Sequence, residues 1–154
     1  MEAAAQQGGG GPPGASPAAA PGGGGDLRAR LQRQIAALHQ GGVGLLLGSD
    51  SPQIFNVPGF SIHRELEALV AAGLGPTEAL RTGTDAPARF LDRTDDFGAL
   101  RTGLAADLVW LRADPTVEVA ATRQIAGVMV RGRWLDRATL DAGLADIRQR
   151  YTAD

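Results

Sequence analysis

Residues 43–52 read Val-Gly-Leu-Leu-Leu-Gly-Ser-Asp-Ser-Pro. Val43 to Leu47 can hide from water, and they run straight into a tight turn that carries one acid, Asp50. An apolar run without polar alternation suits a strand covered on both faces, as in a parallel sheet. The acid at its end has two readings. Gly48 to Pro52 is a turn sequence in which Asp50 can accept backbone N–H groups. A carboxylate just past a strand end can also be catalytic. The flanking chain has to decide between them.

Upstream, Asp26 is a good helix N-cap, and Leu27, Leu31, Ile35 and Leu38 recur at helical spacing until Gly41-Gly42 stops the run. Helix, short loop and buried strand make half of an α/β repeat. Downstream of the Pro52–Gly59 loop, Ile62, Leu66, Leu69 and Val70 mark a second helix, ended by Gly73. Pro76 starts a short helix through Leu80 that closes at Gly83, and Thr84 can cap another carrying Ala88 and Leu91.

The pattern then changes. Ala106–Leu111 and Ile125–Val130 read as strands, and Arg131-Gly132 makes a two-residue turn into a third, Arg133–Leu135. Trp110 and Trp134 fall on these strands and are expected in the core. Asp136 caps a last helix with Leu140, Leu144, Ile147 and Tyr151 on one side. The order is α-β-α-α-α followed by β-β-β-α. One buried strand and a three-stranded remnant leave edges and an apolar face uncovered, so an incomplete fold is expected.

Composition narrows the function classes. Residues 1–25 are almost wholly Gly, Ala and Pro, with no side chains to offset the entropy of ordering, and read as a flexible tail. They lack the basic start and apolar run of a secretory signal. No segment approaches the roughly 20 apolar residues that span a bilayer, so a cytoplasmic protein without a membrane partner is expected. Net charge is −2 with no basic stripe, which argues against nucleic acid. The chain has no cysteine, and all 15 basic residues are Arg. Thiolate nucleophiles, disulfides and lysine Schiff bases are thereby excluded.

Four stretches together carry a resemblance: LLLGSDSP (45–52), GFSIHRELEALVAAGLGPTEALRTGTDAPARFL (59–91), FGALRTGLAADLVWLRADP (97–115) and TRQIAGVMVRGRWLDRATL (122–140). In this order they resemble the C-terminal portion of the metal-dependent amidohydrolase superfamily, with prolidase-like and imidazolonepropionase-like members closest in character. The likeness runs from about Asp26 to Arg148. It implies an α/β fold: the end of a distorted (β/α)8 barrel over 26–95, part of a small β-sandwich over 96–136, and a C-terminal helix over 137–154. Val43–Leu47 would be the last barrel strand. Active sites of such barrels lie at the C-terminal ends of the strands, where Asp50 falls.

The resemblance implies hydrolysis of a carbon–nitrogen bond in a small molecule by metal-activated water. The implied cofactor is a divalent metal, zinc in character. Asp50 matches the aspartate that binds the metal, takes the proton of the water and passes it to the leaving nitrogen. Ile54 and Phe55, between two prolines, and His63 in the following helix are the candidates for substrate contact. His39 more simply complements a helix C-terminus.

The departures matter as much. The family's remaining ligands include a His-x-His pair, and this chain has only His39 and His63. Thr84-Asp85-Ala86-Pro87 also differs from the family's usual helix start. The chain alone is therefore expected to bind no zinc and to be inactive. The competing reading is a non-catalytic fragment or interaction module, completed by a separate N-terminal polypeptide or by a second copy. A phosphate site at Gly48-Ser49 is remote, because the glycine spacing fits no nucleotide fingerprint.

Overall fold

The computed structural model describes residues 23–152, so the expected tail over 1–25 lies outside the described residues except at its last three positions. Those begin α1 (Gly23–Gln40), which starts ahead of the expected cap, Asp26. Then come α2 (Ser61–Ala71), α3 (Pro76–Arg81), α4 (Asp85–Phe90), β1 (Leu108–Leu111), a 3-10 turn (Val119–Arg123), β2 (Ile125–Val130), β3 (Arg133–Asp136) and α5 (Arg137–Thr152).

Local chemistry accounts for most boundaries. Gly73, at φ 110°, takes the left-handed conformation that ends α2. Pro76 opens α3, where its missing N–H costs nothing, and Glu78 Oε2 reaches back to accept from Gly75 N at 2.7 Å. Thr84 precedes α4 as expected, but its hydroxyl donates to the Leu80 carbonyl at 3.0 Å rather than capping the helix. Asp136 Oδ1 accepts from Thr139 N at 2.8 Å, the expected cap of α5.

β1, β2 and β3 form one antiparallel sheet in that order. Val130 pairs with Arg133 across the Arg131-Gly132 turn, where φ values of 50° and 76° give the two left-handed residues a tight hairpin wants. The register shifts between Trp110 and Leu111. Both tryptophans correct the expectation of a core position: Trp110 is 64% exposed and Trp134 45%. They share a sheet face with Leu108 and Met129, which are half-buried. Trp134 spreads its ring over Gly127, where any side chain would collide with it.

The core sits among the helices. Leu66, Leu69, Leu74, Ala79 and Val119 are buried, with Ile35, Leu45, Leu47, Val70 and Leu80 packed around them. The segment Val43–Leu47 departs from expectation. It is extended but joins no ladder among the described residues. Leu45 and Leu47 point to the helices, whereas Val43 and Leu46 are about half exposed, at 50% and 47%. A parallel strand needs neighbours on both sides to pair its backbone, and this segment gets only single bonds. Leu47 N donates to Thr82 O at 2.9 Å, and Val43 N to Leu38 O at 3.0 Å.

Gly98 locks the loop after α4 in place. Its φ is 100°, and a Cβ there would meet Ala88 Cβ at 2.7 Å and Thr84 O at 3.1 Å. Gly103, at φ 95°, has open space instead. Gly98→Ala is expected to cost about 2 kcal/mol or more from backbone strain plus the collision, and Gly103→Ala only the strain share. Urea unfolding of the two variants measures the difference.

Candidate functional site

Asp50 ends the extended segment with φ 52°, a conformation that Asp tolerates better than most residues. Its carboxylate is exposed, and the Gln53 side-chain amide donates to Oδ2. Ser49 Oγ and Ser51 Oγ lie 2.9 Å apart on either side. The loop then doubles back. Asn56 N donates to Gln53 O at 2.9 Å, which throws Ile54 and Phe55 out at the tip, each 85% exposed.

α2 anchors this loop. Ser61 Oγ accepts from Val57 N at 2.8 Å and from Arg64 Nη2 at 3.1 Å, and Arg64 also donates to the Phe55 carbonyl. Gln53 and Arg64 were not legible as site residues. Arg64 lies one helical turn from Ser61, a spacing that offers a weak signal.

His63 points elsewhere. Its Nδ1 is 3.0 Å from Thr122 Oγ1 on the 3-10 turn. One helical turn on, Arg123 Nε donates to Glu67 Oε1 at 2.9 Å. Burial depresses the His63 pKa below its usual value, and the Arg123 charge pushes the same way against a smaller opposing pull from Glu67. The hydrogen bond from Arg123 holds the Glu67 carboxyl below its usual range. An apolar groove of about 820 Å³ runs between α2 and the sheet, with Ile62, His63, Leu66, Leu111 and Val128 in its lining. That lining does not include Asp50, Ile54 or Phe55. The described residues thus place the four expected site residues in two separate places.

Among the described residues no three His, Cys, Asp or Glu side chains gather in a way that could hold a metal ion. Asp50 offers one carboxylate, already hydrogen-bonded by Gln53. One such ligand does not make a tetrahedral or octahedral site. The residues described here do not by themselves fit a metal.

Helices packed round an extended segment, with a short three-stranded antiparallel sheet alongside, define an α/β protein. The amidohydrolase family model matches residues 27–135, and the chain belongs to that family. Comparison with curated proteins gave no match. Among solved structures, a putative prolidase from Bifidobacterium longum is 34% identical with a TM-score of 0.62, over 73% of this chain and 29% of that one. Molinate hydrolase is 26% identical with a TM-score of 0.56, over 66% of this chain and 25% of that one. A Xaa-Pro dipeptidase with methionine bound in its active site shares the fold at 19% identity and a TM-score of 0.62, over 70% of this chain and 26% of that one. The chain spans about a quarter of the length of the structures it matches. No described helix is long and apolar enough to cross a membrane.

Proposed function

We propose that this chain is the C-terminal portion of a cytoplasmic hydrolase that cleaves carbon–nitrogen bonds in small molecules, of amide, cyclic amide or Xaa-Pro dipeptide type. The observation that carries the reading is Asp50: an exposed carboxylate presented by a left-handed turn at the end of an apolar extended segment. The likeness to a putative prolidase supports the substrate class. In this reading Asp50 takes the proton from the attacking water and returns it to the leaving nitrogen. Gln53 orients the carboxylate through Oδ2, which leaves Oδ1 to receive the proton. Ile54 and Phe55 rim the substrate entrance, held by Arg64 and Ser61. A divalent metal, zinc by family resemblance, belongs to this reading, with its ligands other than Asp50 supplied from outside the described residues. Those same residues, or a second copy, would cover Val43 and Leu46.

A chimera tests the proposal. The matched 73% of this chain replaces its counterpart in the Bifidobacterium longum prolidase, and hydrolysis of a Xaa-Pro dipeptide is followed with the metal content. Retained zinc with turnover is the expected result. A folded, zinc-loaded chimera without turnover on dipeptides or simple amides would count against the assignment. The second reading, an interaction module, rests on the half-exposed Val43 and Leu46. It is favoured if the intact chain associates while the chimera stays inert.

A further inference from the structure

α5 leaves the body of the molecule almost as soon as it begins. Arg137 and Leu140 are half-buried, and Arg137 donates to the Ile125 carbonyl at 3.4 Å. From Asp141 to Thr152 every residue is exposed. A helix of that length is marginal in water unless an apolar face is packed. Its own ion pairs, Arg137 with Asp141 and Asp146 with Arg150, are exposed and add little. Yet the free stretch is not polar all round. Leu144, Ile147 and Tyr151 continue the line of Leu140 at i+4, i+7 and i+11, the repeat of a two-helix seam. They are 43%, 47% and 85% exposed. The family match stops at residue 135, so this helix lies outside it.

We propose that α5 is a self-association element, which pairs with α5 of a second copy of this chain, antiparallel, about a two-fold axis beside Leu144 and Ile147. Charge selects both the occupant and the direction. Asp141 and Arg148 flank the apolar line on one side, and Gly143 and Arg150 flank it on the other. In an antiparallel pair Asp141 of each copy meets Arg148 of the other, so the two-fold makes the same ion pair twice. One helix thus carries both halves of the charge pattern that its occupant needs.

Both groups have capacity for the new contact. Arg137 takes Oδ1 of Asp141, which leaves Oδ2. Arg148 has no acid partner among the described residues. On the opposite flank Arg150 of each copy crosses Gly143 of the other, where no side chain competes for the space. A parallel pair would instead set Asp136 of one copy against Asp141 of the other, like against like. It would also align the two helix dipoles, which the antiparallel pair opposes.

The test uses the full chain. Sedimentation velocity from about 1 μM to about 1 mM, the window of weak association, should show a monomer–dimer equilibrium. Leu144→Glu keeps a good helix former at a position open to water in the monomer, so its fold should survive, which circular dichroism checks. It should weaken the dimer by at least about tenfold, because the seam would bury an unpaired carboxylate. Arg148→Asp should also weaken the dimer, and adding Asp141→Arg to it should restore association. The chain has no cysteine, so introduced thiols report only on themselves. Leu144→Cys chains mixed with Ile147→Cys chains and oxidised should give the 144–147 crosslink in excess of 144–144. A chain that stays monomeric throughout, or a dimer that Leu144→Glu leaves intact, would overturn the inference. So would an excess of the 144–144 crosslink, or a dimer lost in Leu46→Ser but kept in Leu144→Glu.

Discussion

Asp50→Asn in the prolidase chimera is expected to lower kcat by about two to four orders of magnitude, the usual share of a positioned general base. The substitution is close to isosteric. Asn tolerates a left-handed backbone as Asp does, so the turn at φ 52° should survive. Gln53 can still donate to the remaining carbonyl oxygen. What disappears is the capacity to take a proton. The thermal midpoint should hardly move, because the side chain is exposed and its one described partner is retained. Steady-state turnover on a Xaa-Pro dipeptide, with metal content measured in parallel, separates chemistry from metal loss. If kcat is unchanged, Asp50 is only a turn former and the strand-end reading of the opening sequence fails.

Leu69→Ala should have the largest effect on stability. Leu69 is 6% exposed and belongs to a buried cluster of only five residues, with Leu66, Leu74, Ala79 and Val119. Truncating a buried leucine costs about 2–5 kcal/mol, depending on how far the site collapses. Small domains hold about 5–15 kcal/mol in total, so much of the margin would go. Urea unfolding followed by circular dichroism reads the change. Leu46→Ser is the contrast: at 47% exposure its cost should stay near zero in a monomer. A large penalty there would mean that the outer face of the segment is covered in solution by another copy.

Much of the fold was legible. The i, i+4, i+7 spacing of Ile62, Leu66 and Leu69, the punctuation by Gly73 and Pro76, the Arg131-Gly132 turn and the Asp136 cap are all local signals, and each appears where the residues place it. The segment Val43–Leu47 is less buried than its apolar run suggests, for a physical reason. An apolar run reports that side chains avoid water, but a ladder depends on which chains lie beside it. The tryptophans show the same limit. Their strands form, yet both side chains stay largely exposed. Site legibility divides along the same line. Asp50 can be found from its position after an apolar run, and Ile54 and Phe55 from the proline-bounded loop. The Thr122 partner of His63 lies 59 positions away, and nothing in either local pattern announces the pair.

The half-seated segment at 43–47 has one further effect. With Leu45 and Leu47 packed among the helices and Leu46 between them turned outward, the phase of that stretch is already set. A polypeptide laid along it would meet a ruler with fixed graduations, since a slip of one residue would turn the newcomer's own side chains to the opposite face. Correct alignment is thus written into the helical side of the molecule before any neighbour arrives.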